Sequence, residues 1–501
     1  MKLSGNSKAI FLLVALLPTL PTIHAQQSDS PQSGSDPVSV DGGTADPSQV
    51  EAPGTFRLLY FERPVALARA EEKALNLTDI GTASIDSSAE PSVFADLAPE
   101  QQAYLQRLAD IDGYEQLLEQ VEYEGGAWSA QIAEELITLG TLLQAQGDYQ
   151  KSTEVFDRAV LVNRVNFGLY SPEQIPLVER IVDNHLALGQ WSEADKQQQY
   201  AFYVQVKAYG TRDPRMASVY EDLARWNITS FYRGVDDDPT ARLLETYRLF
   251  RAAASVVAFH FGTEDPRYVN LLKDVAGASD MVTRFSPAGT LEATPTNPNI
   301  RRVSEFIGVP VDPVRVPGGG GESALRRIVD FYGDSDRPAT EENLMRLVQA
   351  LAEVGDWYMM EQRRQAAVDV YSEAWDLLLA LEDGAARAQG YFDQVVFLPT
   401  FSRFDEEQRE AFQVSPDYNA RQGYVEISFD VSQYGRPSDF TVLGIEPLGM
   451  ERVDMMAVNH VRSMTLRPKF QADKALASSA ERFRVPFWYR EVKPTSVTAK
   501  E

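Results

Sequence analysis

From residue 96 onward, apolar residues recur three and four positions apart, as in LAPEQQAYLQRLADIDGYEQLLEQ and AWSAQIAEELITLGTLLQAQGDY. That spacing places them on one face of an α-helix. The pattern holds over 96–285, lapses over 286–322, and resumes over 323–384. Near the C-terminus the period drops to two. Val425, Ile427, Phe429 and Val431 alternate with Glu426, Ser428 and Asp430, which predicts a strand with one buried face. Gly435 supplies a turn with Pro437 just beyond it, and Phe440 to Ile445 form a second strand. Met450, Val453, Ala457, Val461 and Met464 then make one helical stripe, which Arg467-Pro468 ends. Phe483, Val485, Phe487 and Tyr489 alternate as a third strand. The expected fold is mostly α: a helical-repeat solenoid followed by a small α+β module of order β-β-α-β over 415–491.

The helical part repeats itself. Gly147-Asp148-Tyr149 returns 42 positions later as Gly189-Gln190-Trp191. Gly168-Leu-Tyr-Ser-Pro172 returns 42 later as Gly210-Thr-Arg-Asp-Pro214, and again as Gly262-Thr-Glu-Asp-Pro266 with ten more residues between. The acidic stretch Asp236-Asp237-Asp238 lies in that longer interval and predicts an inserted loop. Repetition at this period signals stacked helical hairpins. Leu136, Leu139, Gly140, Phe156 and Ala159, and again Leu351, Gly355, Tyr358, Ala367, Tyr371 and Ala374, resemble the helix-pair signature of the tetratricopeptide repeat. With Gly147 they are structural positions. Small residues let two helices approach, and Phe156 and Tyr371 are expected to fill the gap to the next pair. The resemblance covers 132–166 and 343–381 well and weakens over 174–257. The dense aromatic residues Tyr200, Phe202, Tyr203, Tyr209, Tyr220, Trp226, Phe231 and Tyr232 are either inter-repeat core or the lining of a protein-binding groove; sequence leaves both open.

The start, MKLSGNSKAIFLLVALLPTLPTIHAQQ, has a positive beginning, a short apolar run broken by Pro18, and Ala25 at the expected cut. It predicts a signal peptide over 1–25 rather than a span, which needs about 18–20 apolar residues. Residues 26–55 lack aromatics after Gln26 and are rich in Ser, Pro, Gly and Asp, as a disordered linker is. Residues 56–95 can open with a strand and continue as a helix. Residues 286–322 are too rich in Pro and Gly for a helix and predict a linker between domains or repeats.

Charge sharpens the division. The net charge is −26, yet residues 421–501 carry 12 Lys and Arg against 10 Asp and Glu. The acid excess thus lies entirely outside the terminal module. It argues against nucleic acid and anionic lipid as partners. Cysteine is absent, which removes disulfides, thiolate metal sites and cysteine nucleophiles. Export to a Gram-negative periplasm is the expected location.

Candidate chemistry is sparse. Gly318 to Gly321 lack the Gly-Lys-Ser/Thr of a phosphate loop; Glu322 follows, so a flexible joint is the better reading. Asp110-Ile-Asp112-Gly113 misplaces the calcium-loop glycine and puts Val121 where the last glutamate belongs. His185, His260 and His460 stand apart in sequence, without a second histidine at ligand spacing. No cofactor, metal or catalytic residue is expected, and no enzymatic activity.

The terminal module resembles the C-terminal domain of the TonB family. The matching pattern is Gly423-x-Val425, Phe429-x-Val431, Gly435, Asp439, Val442-Leu443, Asp454, Ala457, Val461-Arg462, the corner Leu466-Arg467-Pro468, and Val485-Pro486-Phe487. It covers about 70 residues (421–490). The resemblance implies recognition of outer-membrane transporter segments by strand addition. By that analogy Phe483, Val485, Phe487 and Tyr489 form the partner-binding edge, flanked by Arg482 and Arg484. This chain lacks the Pro-rich span of a TonB transducer. The functional expectation is a periplasmic adaptor whose repeats bind one protein and whose terminal domain binds another. The alternative is a TonB-type transport component held at the inner membrane by an uncleaved N-terminus.

Overall fold

The computed structural model describes residues 56–67, 99–235, 239–285, 318–338, 340–412, 420–450 and 452–491. All of them belong to one compact unit. The expected signal peptide and linker (1–55), Asp236 to Asp238 and residues 286–317 lie outside the described residues.

Helices run as α1 (Pro99–Gly125), α2 (Ala130–Gln146), α3 (Tyr149–Phe167), α4 (Ile175–Ala187), α5 (Trp191–Tyr209), α6 (Met216–Arg233), α7 (Pro239–Phe261) and α8 (Pro266–Phe285). Then come α9 (Gly318–Gly333), α10 (Glu341–Met360), α11 (Arg364–Leu379), α12 (Gly384–Phe392), α13 (Asp405–Ala411) and α14 (Val453–Ser463). They pack in pairs, α2 with α3, α4 with α5, α6 with α7, α8 with α9 and α10 with α11, and each pair packs on the next. This is a tetratricopeptide-like array. Gly147 and Gly189 close the first helix of two pairs at φ 88° and 71°. Gly147 N–H donates to Gln144 and Asp148 N–H to Leu143, each at 3.0 Å, and a Cβ would be strained at that φ. Asp148 then caps α3 by accepting from Lys151 N–H at 3.3 Å. The corners Gly210 and Gly262 carry a second device. Arg215 forks onto Asp213 and covers the Tyr209 ring at 3.8 Å; Arg267 forks onto Asp265 and covers Phe261 at 4.4 Å.

Four expectations are corrected. Phe156 and Tyr371 fill the gap inside their own pairs: a Cβ on Gly140 would lie 2.6 Å from the Phe156 ring, and one on Gly355 would lie 2.3 Å from Tyr371. The segment 286–322 is not a linker between repeats. It falls inside one, because α8 and α9 form a pair, and one continuous core runs from Phe202 to Phe470. Gly318 to Gly321 are not a flexible joint but the first turn of α9. Gly321 is required there, since a Cβ would meet Trp357 at 2.2 Å. The ten extra residues before Gly262 are also not a loop alone: α6 and α7 have 18 and 23 residues against 13 and 19 in α4 and α5.

Strands are β1 (Phe56–Phe61), β2 (Val65–Ala66), β3 (Val396–Phe397), β4 (Ala420–Val431), β5 (Pro437–Glu446), β6 (Leu466–Arg467), β7 (Lys469–Gln471), β8 (Lys474–Leu476) and β9 (Ser478–Glu491). The main sheet is antiparallel in the order β1-β9-β4-β5, and β2 also pairs with β9. Val425, Ile427, Phe429, Val431, Phe483, Val485 and Phe487 line one face, covered by Val453, Ala457 and Val461 of α14. The β-β-α-β order is present, with the small β7-β8 hairpin added before β9.

Candidate protein-binding surfaces

Two surfaces bear on function: the face built by the first helix of each pair, and the edges of the sheet. The first-helix face is partly filled by the chain itself. Residues 396–411, which leave the array for the module, cross α10, α8 and α6 in turn. Phe401 lies 5.7 Å from the Trp357 ring of α10, and Thr400 donates to Asp356 at 2.5 Å. Phe404 sits on Gly277 of α8, where a Cβ would be 2.8 Å away, and stacks on Phe250 at 5.8 Å. Arg403 meets Asp274 at 3.3 Å, and Glu407 of α13 accepts from Arg225 of α6 at 2.6 Å. Asp274 has no exposed side-chain surface, and burial outweighs both arginines, so its carboxyl is pushed up to about 6.

The module is fastened at the same face. Arg467 donates to both oxygens of Asp356, at 2.7 and 2.8 Å, and Tyr371 donates to Oδ1 at 2.8 Å. Arg467 is 5% exposed and Asp356 0%. Burial alone would lower the guanidinium's pKa; the carboxylate raises it and keeps the arginine charged. Phe470 enters the array's core beside Tyr371, Trp375 and Phe392.

Where α13 ends, the face is open. A cleft of about 490 Å³ lies between α4, α6 and α13. It is lined by Glu179, Asp183, Asp222, Glu406, Glu407 and Glu410, with Arg225 as its one basic residue. Burial raises the carboxyls of Glu179, Asp222 and Glu410. Neighbouring carboxylates raise them further: Asp183 acts on Glu179, Glu221 and Glu179 on Asp222, and Glu407 and Glu406 on Glu410. Of the aromatic residues singled out in the sequence, Trp226 reaches this cleft, with its Nε1–H on Asp195 at 2.7 Å. Phe202 and Tyr220 are core, Tyr209 lies under Arg215, and Phe231 packs on Tyr232 and Phe285.

The sheet edge differs from expectation. β9 is not an edge: β4 flanks it on one side, β1 and β2 on the other. Phe61 is registered on Phe487 and Leu58 on Tyr489. Phe483, Val485, Phe487 and Tyr489 are core residues, Arg484 pairs with Glu426 at 2.6 Å, and Arg482 is exposed with its carbonyl taken by Leu67 N–H. Glu62, just after β1, accepts from Trp488, Arg409 and Gln422 at 2.8, 2.9 and 3.0 Å. The N-terminal strand therefore ties sheet, connecting segment and module together. Phe61 also stacks on His460 at 5.1 Å; burial alone pushes that imidazole down to about 4, and its Nε2 has no partner. His185 contacts Gln190 at a turn, and His260 Nε2 lies 2.6 Å from the Arg212 carbonyl. Among the described residues no group of acidic and histidine side chains is placed to hold a metal ion, and no helix is long and apolar enough to cross a membrane.

No family model and no curated protein matches the chain. Solved structures do. A putative kinesin light chain of Podosopora anserina with nearly identical TPR-like repeats is 13% identical, over 49% of this chain and 94% of that one, at a TM-score of 0.29. BtubC (BKLC) from P. vanneervenii is 11% identical, over 56% and 92%, at 0.28. Scores this low leave the functional argument to the chain's own geometry.

Proposed function

We propose that the protein is an exported, non-enzymatic adaptor that holds one protein on its helical array and another on its C-terminal module. The observation that carries this is the first-helix face, which is filled by the chain's own segment at α8 and α10, covered only in part at α6, and left open at α4. A surface that already binds a peptide-like segment in cis is suited to bind one in trans. The TonB-like reading of the module is supported by its β-β-α-β order. With β9 flanked, strand addition falls to the outer side of β5, which pairs only with β4 among the described residues and exposes Val442 and Leu443.

Removing the module is a poor test, because Arg467 and Phe470 belong to the array's own packing. A photo-crosslinking amino acid at Asp183 or at Val442 of the full chain, with Asp376 as control, avoids that difficulty. Distinct adducts from the first two sites are expected. Adducts no different from those at Asp376 defeat the adaptor reading. Mass spectrometry of the mature N-terminus tests export, with Gln26 expected first; an intact, membrane-held N-terminus overturns it.

A further inference from the structure

We propose that the open cleft between α4, α6 and α13 takes an arginine- or lysine-bearing segment of a partner protein. This rests on the adaptor reading and names the chemistry of one partner. The cleft sets six carboxylates against Arg225, and that guanidinium is already engaged by Glu221, Asp274 and Glu407 at 3.0, 3.3 and 2.6 Å. A second observation points to a ligand. Glu407 lines the cleft and is 4% exposed; its Oε1 accepts from Arg225, while its Oε2 is buried without a partner. A buried acceptor left unmatched is costly, and a cation held in the cleft beside it lowers that cost by favourable charge interaction.

The same face shows how such a guest is read. At α8 and α10 the chain's own Arg403 and Arg467 enter Asp274 and Asp356. The guests already present are thus arginines, Arg403 from the crossing segment and Arg467 from β6 of the module, and the open cleft continues that face with carboxylates still to be neutralised. A metal ion is the poorer occupant, since no three acidic side chains converge on one point among the described residues.

The test measures anisotropy of a labelled 12-residue Arg/Ala peptide, and its Glu/Ala counterpart, against the full chain. The groove variant is Glu179→Gln/Asp183→Asn/Asp222→Asn. The control, Asp369→Asn/Glu373→Gln/Asp376→Asn, removes the same charge from exposed positions on α11. The Arg peptide should bind the wild-type chain in preference to the Glu peptide. The groove variant should lose about tenfold in affinity, and the control less than about twofold. Equal losses in both variants would reduce the effect to the diffuse attraction of an acidic protein and overturn the proposal. So would unchanged binding by the groove variant, or calcium binding that is abolished by the groove substitutions. Crosslinked partners at Asp183 without preference for the Arg peptide sink this inference and leave the adaptor reading standing. Arg-peptide binding without distinct crosslinks does the reverse.

Discussion

The two halves of the first-helix face use acidic residues to opposite ends. At α8 and α10 the side chains of Asp274 and Asp356 are fully buried; Arg403 of the crossing segment matches the first and Arg467 of the module the second. At α4 and α6, Glu179, Asp183 and Asp222 face a cleft and have repelling carboxylates nearby. The difference is not in the helices, which come from the same kind of pair. It lies in whether the chain itself supplies the guest. A carboxylate is a structural part where a cation is tethered to it, and an unspent binding group where none is.

The comparison breaks most sharply at Asp356. Arg467→Ala leaves a buried carboxylate facing only Tyr371 and Thr400, and should cost about 3–5 kcal/mol in urea or thermal unfolding. Arg467→Met, which keeps the volume, leaves the same charge uncompensated and should not restore it; Asp356→Leu with Arg467→Met should recover much of the loss. Next is Phe404→Ala, which empties the space over Gly277 and beside Phe250 and should cost about 3–4 kcal/mol. If that substitution is silent, the segment does not hold the filled half together.

A smaller effect comes from His460 beneath Phe61. Its folded value, about 4, lies below the ordinary 6.5, because burial disfavours the charged ring. The unfolded chain takes up the proton first as pH falls, so this stabilisation is complete above pH 6.5 and lost on the way to about 4. The loss amounts to about 2–3 kcal/mol. His460→Leu should flatten this part of the stability profile between pH 7 and 4. A variant whose profile parallels the wild type would show that the imidazole is not held neutral.

Much of this was legible in sequence wherever cause and effect are close together. The small residues Gly140 and Gly355 that let two helices approach, the recurring Gly-x-x-x-Pro corners and the alternation in β4 all lie within one or two elements, although the sequence placed Phe156 and Tyr371 in the wrong gap. What sequence hid is long-range pairing. Nothing in FRLLYF says that Phe61 meets Phe487, because a short strand carries no address for its partner. Nor does the Pro- and Gly-rich stretch show that the helices on either side of it form one pair. Gly318 to Gly321 misled because glycine is a poor helix former, by about 1 kcal/mol each, and the Trp357 ring that requires Gly321 is distant in sequence. The partner of Arg467 was invisible for the same reason, and with it the fact that the module is fastened to the array.

The smallest expected effect separates the two halves most directly. Glu179→Gln with Asp222→Asn removes two charges from the open cleft. If those carboxylates were structural, as Asp356 is in its fork with Arg467, neutralising them would destabilise the fold. The carboxyls of Glu179 and Asp222 are raised by burial and by neighbouring carboxylates, and among the described residues no arginine forks onto either, so the charged forms cost free energy in the folded state. The double variant should therefore be as stable as the wild type, or more stable by a few tenths of a kcal/mol at pH 7, with the gain vanishing as pH falls and the wild-type groups protonate. Thermal unfolding at pH 7 and pH 5 reads both parts. A loss of stability at pH 7 would mean that the open half is held together by its acids after all, and the contrast between a filled and an unfilled face would disappear.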